Sequence, residues 1–184
     1  MSQRSGLGAQ LAVAKETTYG TRIAPTRAIP LVSETLTEEP EYHRSEALRA
    51  GQMARAANLH RRTTRQVEGS INLEWLTEGM GWILDMLHGN TVTPTKPGGA
   101  TDAHEQIHDI GLEAPWGKSL TVQVGRPGID GVTYPFDYLG CKITEVSIAC
   151  EAGEGVTVEL TIDGRDTWNI PSTTDSKCSG AIVV

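Results

Sequence analysis

Apolar and polar side chains alternate with a period of two along most of the chain. Val67, Gly69, Ile71, Leu73 and Trp75 alternate with Glu68, Ser70, Asn72 and Glu74, which predicts a strand with one buried and one wet face. Leu120, Val122 and Val124 alternate with Thr121 and Gln123 in the same way, as do Val156, Val158, Leu160 and Ile162 with Thr157, Glu159, Thr161 and Asp163. Residues 141–150 also alternate but slip phase between Ile143 and Val146, which predicts a bulge. Asp163-Gly164 reads as a turn. Weaker strand patterns cover residues 7–15, 28–37, 41–48 and 133–138.

A single segment carries the helical period. Met80, Ile83, Leu84 and Leu87 fall at i, i+3, i+4 and i+7, one apolar stripe. Thr77 is placed to cap its start, with Glu78 in the first turn, and Gly89-Asn90 to end it. Residues 91–101 form a Pro/Gly/Thr loop, and residues 49–64, without clear period, read as a long exposed loop. The expected fold class is mainly β with one α-helix. It is a single domain over residues 1–184, built as a β-sandwich or partly closed barrel with the helix on one face.

Composition adds that the core is thin. Leu, Ile, Val and Phe number 39 of 184 residues, with one Phe, just above the range in which disorder is expected. A thin core points to completion by neighbouring subunits. No apolar run approaches the roughly 18 residues of a membrane span, and the N-terminal residues lack a signal-peptide pattern. Cys141, Cys150 and Cys178 are too few, and odd in number, for a disulfide framework; a reducing cytoplasm is the expected site of synthesis.

Charge is uneven. The net is −7 overall. Residues 1–99 hold 11 basic and 10 acidic side chains, and residues 100–184 hold 5 and 13. An acidic chain is a poor attractor of nucleic acid. Arg44, Arg49, Arg55, Arg61, Arg62 and Arg65 nevertheless crowd one stretch. No Phe, Tyr or Trp interleaves residues 44–65 to stack bases. Protein–protein contact through Arg49, Arg55, Arg61 and Arg62, with the acidic half of another copy supplying carboxylates, is the functional reading. A solvated loop is the bland one.

His104-Glu105-Gln106-Ile107-His108 matches the H-E-x-x-H pattern of zinc hydrolases, in which two His on one helix face bind the metal and the Glu polarises a water. Gly111 extends the match, but Ala114 stands where a third His belongs, and no Met follows Met86. The segment sits between Pro97-Gly98-Gly99 and Pro115, with room for about two helical turns. Read as a strand, it places His104 and His108 on one side and Glu105 on the other. A zinc site at His104, Glu105 and His108 is therefore kept as the alternative, and no metal or cofactor is expected. Nucleophile motifs are absent: there is no G-x-S-x-G and no C-x-x-C. Cys141 and Cys150 read as small strand residues. The Gly-rich run from Gly125 to Gly131 reads as a hairpin connection.

Several segments, taken in order, resemble tail tube proteins of long, non-contractile-tailed bacteriophages. They are Lys15-Glu16-Thr17-Thr18-Tyr19-Gly20-Thr21 with Pro25-Thr26-Arg27; Glu41-Tyr42 with Leu48-Arg49-Ala50-Gly51; Val67 through Glu74 followed by Gly79-Met80-Gly81-Trp82-Ile83-Leu84; and Ser119 through Arg126 with Pro135 through Ile143. The resemblance covers most of the chain. It implies a structural virion protein, not an enzyme, whose subunits form hexameric rings stacked into a hollow tube. Genome DNA passes through that tube at ejection without specific binding. A tape measure protein and other tail proteins are implied partners; no membrane is. The implied location is the virion, after synthesis in the host bacterial cytoplasm. A tail terminator or an injection-machine tube shares the fold and stays as a further alternative.

The resemblance also implies an N-terminal arm over about residues 1–27 and an extended strand around His104–His108. Relatives continue past Trp168 with further strands, whereas residues 171–184 here are expected to be extended or truncated. On the family's plan the inner wall is a polar or acidic sheet, from which phosphates are repelled. The candidates for lining it are Ser70, Asn72, Glu74, Thr157, Glu159, Thr161 and Asp163.

Overall fold

The computed structural model describes residues 9–44, 60–76, 79–89, 93–99, 103–108, 118–128 and 132–169. Nine strands and one helix follow in the order β1 (Gln10–Lys15), β2 (Arg27–Ile29), β3 (Ser33–Glu34), β4 (Thr37–Arg44), β5 (His60–Glu74), α1 (Gly81–His88), β6 (Leu120–Pro127), β7 (Thr133–Ala149), β8 (Thr157–Gly164) and β9 (Asp166–Asn169). They form one curled, antiparallel sheet ordered β2-β1-β6-β7-β8-β5-β3, with β4 also on β5 and β9 also on β7.

The curl turns on β7, a single strand of 17 residues where sequence predicted two. Its first half pairs with β6, from Pro127 opposite Thr133 to Leu120 opposite Cys141. Its second half pairs with β8, from Lys142 opposite Asp163 to Ala149 opposite Thr157. The expected bulge falls between Ile143 and Glu145, and Thr144 fills it by donating its hydroxyl to Thr161 O (3.2 Å). β9 continues along β7 where β8 stops, opposite residues 136–139. Asp163-Gly164 is not a turn: both end β8, and the bend comes at Arg165. Gly164 is needed there for close approach, since a Cβ would lie 3.0 Å from Cys141 Sγ and 3.1 Å from Val67 Cβ.

The two halves of the sheet fold over one apolar core. Leu11, Val13, Val122, Val124 and Tyr138 come from one half and Val67, Ile71, Leu73, Val158, Leu160 and Ile162 from the other; Ile83 and Met86 of α1 complete it. Helix α1 starts later than expected, with Met80 as its N-cap and no side-chain cap; Thr77 and Glu78 lie outside the described residues. It ends as expected at Gly89, which is left-handed (φ 79°) and donates to Asp85 O (3.0 Å).

Several expectations change. The strand expected over 28–37 is divided among β2, β3 and the start of β4, because Pro30 has no N–H to keep the ladder running. The loop expected over 49–64 is strand from His60 onward, paired with β4; its polar residues carried no period because both faces are exposed. The arm expected over 1–27 is not free beyond residue 9: β1 lies between β2 and β6 within the sheet. Residues 1–8, 45–59 and 171–184 lie outside the described residues.

β6 was expected to bury one face and buries both. Thr121 and Gln123 are fully buried with Val122 and Val124, because residues 16–26 run back across this side of the sheet. The layer between is polar and paired. Glu16 accepts hydrogen bonds from Ser119 Oγ (2.5 Å), Thr121 Oγ1 (3.0 Å), Gly20 N (2.8 Å) and Gly140 N (2.9 Å). Asp137 accepts from Gln123 Nε2 (2.7 Å) and Arg22 Nε (2.5 Å).

Candidate functional site

The regular part of the outer surface is the wet face of β5, β8 and the second half of β7. Residues opposite one another in an antiparallel pair share a face. Ser70, Asn72 and Glu74 lie opposite Thr161, Glu159 and Thr157. Glu145, Ser147 and Ala149 continue the same rows on β7, so all seven sequence-derived lining candidates fall on one face. Glu68 and Lys142, both opposite Asp163, complete it.

This face carries five carboxylates, on Glu68, Glu74, Glu145, Glu159 and Asp163, against the single ammonium of Lys142. They are spaced to limit mutual repulsion. Glu159 sits between Asn72 and Ser147, Glu145 faces Thr161, and Glu74 faces Thr157. Glu68 and Asp163 alone face each other directly, and there Lys142 flanks Asp163. Apart from Ala149 at its margin, the face is polar and anionic and carries no large apolar side chain. Glu68, Glu145, Ser147 and Lys142 were missed in the sequence. The signal for two of them, Glu145 and Ser147, was the bulge, which sets the odd-numbered residues after Thr144 on the outer side.

The four-stranded unit β3/β4–β5–β8–β7 is open at both edges. Among the described residues, positions 142–149 of β7 pair only with β8, and β3 and β4 pair only with β5. Exposed edges of this length invite pairing with another chain. The β3 edge is fixed from behind. Leu36 is wholly buried, and its carbonyl accepts hydrogen bonds from Tyr138 Oη (2.9 Å) and Arg126 Nη2 (2.8 Å).

β4 and β5 run on past the end of β8 as a two-stranded ribbon, from Gln66 opposite Glu39 to His60 opposite Arg44. Both of its faces are exposed, which leaves such a ribbon marginal by itself. Its base is tied down. Arg62 pairs with Glu38, Arg65 with Asp166 (2.5 Å), and Thr167 donates its hydroxyl to Glu38. Of the four arginines singled out for contacts, Arg62 is therefore engaged within its own chain, Arg61 is exposed on the ribbon, and Arg49 and Arg55 lie outside the described residues.

The H-E-x-x-H segment forms no helix. Glu105 exchanges two backbone hydrogen bonds with Thr95 (2.8 and 3.0 Å) in an antiparallel bridge. In an extended chain, residues four apart stand about 13 Å from one another, too far to share a metal ion. Among the described residues no three His, Cys, Asp or Glu gather to hold one. Cys141 is buried, and desolvation, reinforced by the charge of Glu16, pushes its thiol well above the ordinary range; it stays protonated and unreactive.

A family model for phage tail tube proteins matches residues 6–179. The chain belongs to the phage tail tube protein family. Its role is that of the family, a structural component of the virion's tail tube and not an enzyme. Among curated proteins, none matches the chain. Solved structures similar to it include a virion of a native gene transfer agent particle (10% identity, 91% of this chain and 99% of that one, TM-score 0.48). The SPP1 tail tube is another (7% identity, 92% and 84%, TM-score 0.45). A third is the Hcp protein (11% identity, 87% and 98%, TM-score 0.41). Among the described residues no helix is long and apolar enough to cross a membrane.

Proposed function

We propose that this tail tube protein assembles into hexameric rings that stack into a hollow tube, with the wet face of β5, β8 and β7 turned inward. The observation that carries the reading is the conjunction of an anionic polar face with an open strand edge on either side of it. Strands alternate in direction across β3/β4, β5, β8 and β7, so the β7 edge of one copy can meet the β3–β4 edge of the next and keep the antiparallel order around a ring. The contact joins two different edges, so it is heterologous and closes at whatever number of copies its rotation dictates.

Double-stranded DNA would traverse such a channel during ejection. Carboxylates on the wall repel phosphates within about 10 Å at moderate salt, so the duplex slides without being held. The ribbon of β4 and β5, with Arg61 exposed on it, reaches to a neighbouring subunit or ring. The family's other tail proteins, a tape measure among them, are the remaining partners, and the subunits are made in the host cytoplasm before assembly. Electron microscopy of the purified protein tests the proposal. Rings or tubes of sixfold symmetry, about 100 Å across or less for domains of this size, are expected. A compact monomer persisting at high concentration would contradict it.

A further inference from the structure

Two cations meet over one aromatic ring at the margin of the anionic face. Lys142 Nζ lies 5.4 Å from the centre of the Tyr19 ring, and the guanidinium carbon of Arg165 lies 5.8 Å from it. Neither cation is ion-paired among the described residues, although Asp163 stands opposite Lys142 in the ladder. Arg165 is exposed, Lys142 is half-buried, and Tyr19 is 44% exposed. The group is fixed in place from below. Arg165 N donates to Leu139 O (2.9 Å), and Gly140 beneath leaves no space for a side chain, since a Cβ there would lie 2.9 Å from Arg165 Cβ and 3.1 Å from the Tyr19 ring. A cation held over a ring face keeps its N–H donors for a second partner. The cluster therefore fits a projecting group that brings carboxylates.

The cluster stands at one end of the β7–β8 hairpin, where β8 gives way to Arg165 and β7 passes from β6 to β8. The turn of residues 150–155 stands at the other. All six are exposed, and Glu154 N donates to Glu151 O (3.1 Å) to close the turn. A Cβ built at Gly153 or Gly155 would meet nothing within 4 Å, so the turn projects clear of its own chain with Glu151 and Glu154 on it. The eight residues of β8 keep the two ends about 25 Å apart, so the turn cannot serve the cluster of its own chain. Edge-to-edge pairing directs the ladder hydrogen bonds around a ring and leaves the strand ends facing its two rims. A ring closed by a heterologous contact has two different rims, and rings stacked in one sense bring one kind of rim onto the other.

We infer that Tyr19, Lys142 and Arg165 of each subunit receive the Glu151–Glu154 turn of a copy in the adjacent ring, with Lys142 and Arg165 donating to its carboxylates. The inference rests on the tube reading and adds to it how one ring holds the next. Two carboxylates meet two cations, and identical rings repeat the contact along the tube without a change of orientation. Glu39 and Glu105 are exposed as well and define the competing contacts. Glu39 lies opposite Gln66, just beyond the end of β8. It is therefore at the same end as the cations, where a lateral neighbour and not a stacked one would bring it to them. Glu105 belongs to the isolated bridge with Thr95, outside the strands of the sheet.

The test separates rings from tubes. Sedimentation gives the protein concentration at which tubes appear, and electron microscopy counts single rings below it. The double variants Lys142→Gln/Arg165→Gln and Glu151→Gln/Glu154→Gln should each raise that concentration by roughly tenfold, as the loss of two ion pairs near the surface does. Single rings should accumulate meanwhile, and the thermal melt of the dilute subunit should stay close to that of the unaltered chain. Lys142→Glu/Arg165→Glu and Glu151→Lys/Glu154→Lys should each abolish tubes, and a chain carrying all four changes should form them again. Glu39→Gln and Glu105→Gln should leave the concentration where it is. Unmoved thresholds in the first two variants overturn the contact while leaving the tube reading standing. A rise for the cation variant without one for the turn variant overturns it too, as does a rise for Glu39→Gln or Glu105→Gln that matches the cation variant's. Failure of the unaltered chain to form rings overturns both.

Discussion

Arg126 on β6 and Glu34 on β3 meet fork to fork, with N–H···O distances of 2.9 and 3.0 Å. The pair joins the two halves of the curled sheet at the open β3 edge. Hydrogen bonding to Glu34 pushes the guanidinium above its ordinary range, and the same group lies 5.1 Å over the ring of Phe136. A lysine cannot reproduce two parallel donors. Because the Arg126 side chain is 39% exposed, solvent screens part of the attraction. Arg126→Lys should therefore cost about 1 kcal/mol in urea unfolding and impair assembly beyond that, since the edge is no longer fixed.

Glu16 holds residues 16–26 against the sheet through two hydroxyls and two backbone N–H groups. Glu16→Ala leaves those donors buried without an acceptor. The expected loss is about 2–4 kcal/mol, read from denaturant midpoints. Glu16→Gln, which keeps one carbonyl acceptor, should recover part of it.

At Gly69 the chain of residues 35–36 passes so close that a Cβ would lie 2.7 Å from Thr35 O and 2.8 Å from Leu36 Cα. Its φ of 154° is also one that side-chain-bearing residues rarely adopt. Both neighbouring atoms are backbone and cannot swing aside. Gly69→Ala should lower stability by about 1–3 kcal/mol in thermal unfolding and displace Leu36 from the core.

The strands that could be read in advance were those with one wet face. β5 from Val67 and β8 showed their period plainly, and the slip between Ile143 and Val146 located the bulge. β6 misled because Thr121 and Gln123 look wet in sequence but meet buried partners, Glu16 and Asp137, drawn from distant positions. The β4–β5 ribbon was unreadable for the opposite reason: with both faces exposed, nothing forces alternation between Arg61 and Gln66. The lining candidates on β5 and β8 were legible as polar rows. That Glu145 and Ser147 join them depends on counting across a bulge.

Burial is the first cause that raises the Tyr138 hydroxyl above its ordinary value of 10.0 and the Cys141 thiol above 9.0. A raised folded-state value means that the stability is fully present below the unfolded value and is lost as pH rises towards the folded one. Stability should hold through neutral pH and begin to fall above pH 9, by up to about 1.4 kcal/mol per pH unit for each group. In Cys141→Ala the decline should begin nearer pH 10, whatever the cost of the lost side chain at neutral pH. A pH series of denaturation curves checks both points.

The central claim is that the face built from Ser70, Asn72, Glu74, Glu145, Glu159, Thr161 and Asp163 lines a channel. Cryo-electron microscopy of the assembled protein, at a resolution that follows side chains, tests it most directly. The account predicts these residues around an open central channel, with the second half of β7 in one copy hydrogen-bonded to the β3–β4 edge of the next. A tube whose channel is lined by other elements, with Glu159 and Thr161 on its outer surface or packed between copies, would contradict it.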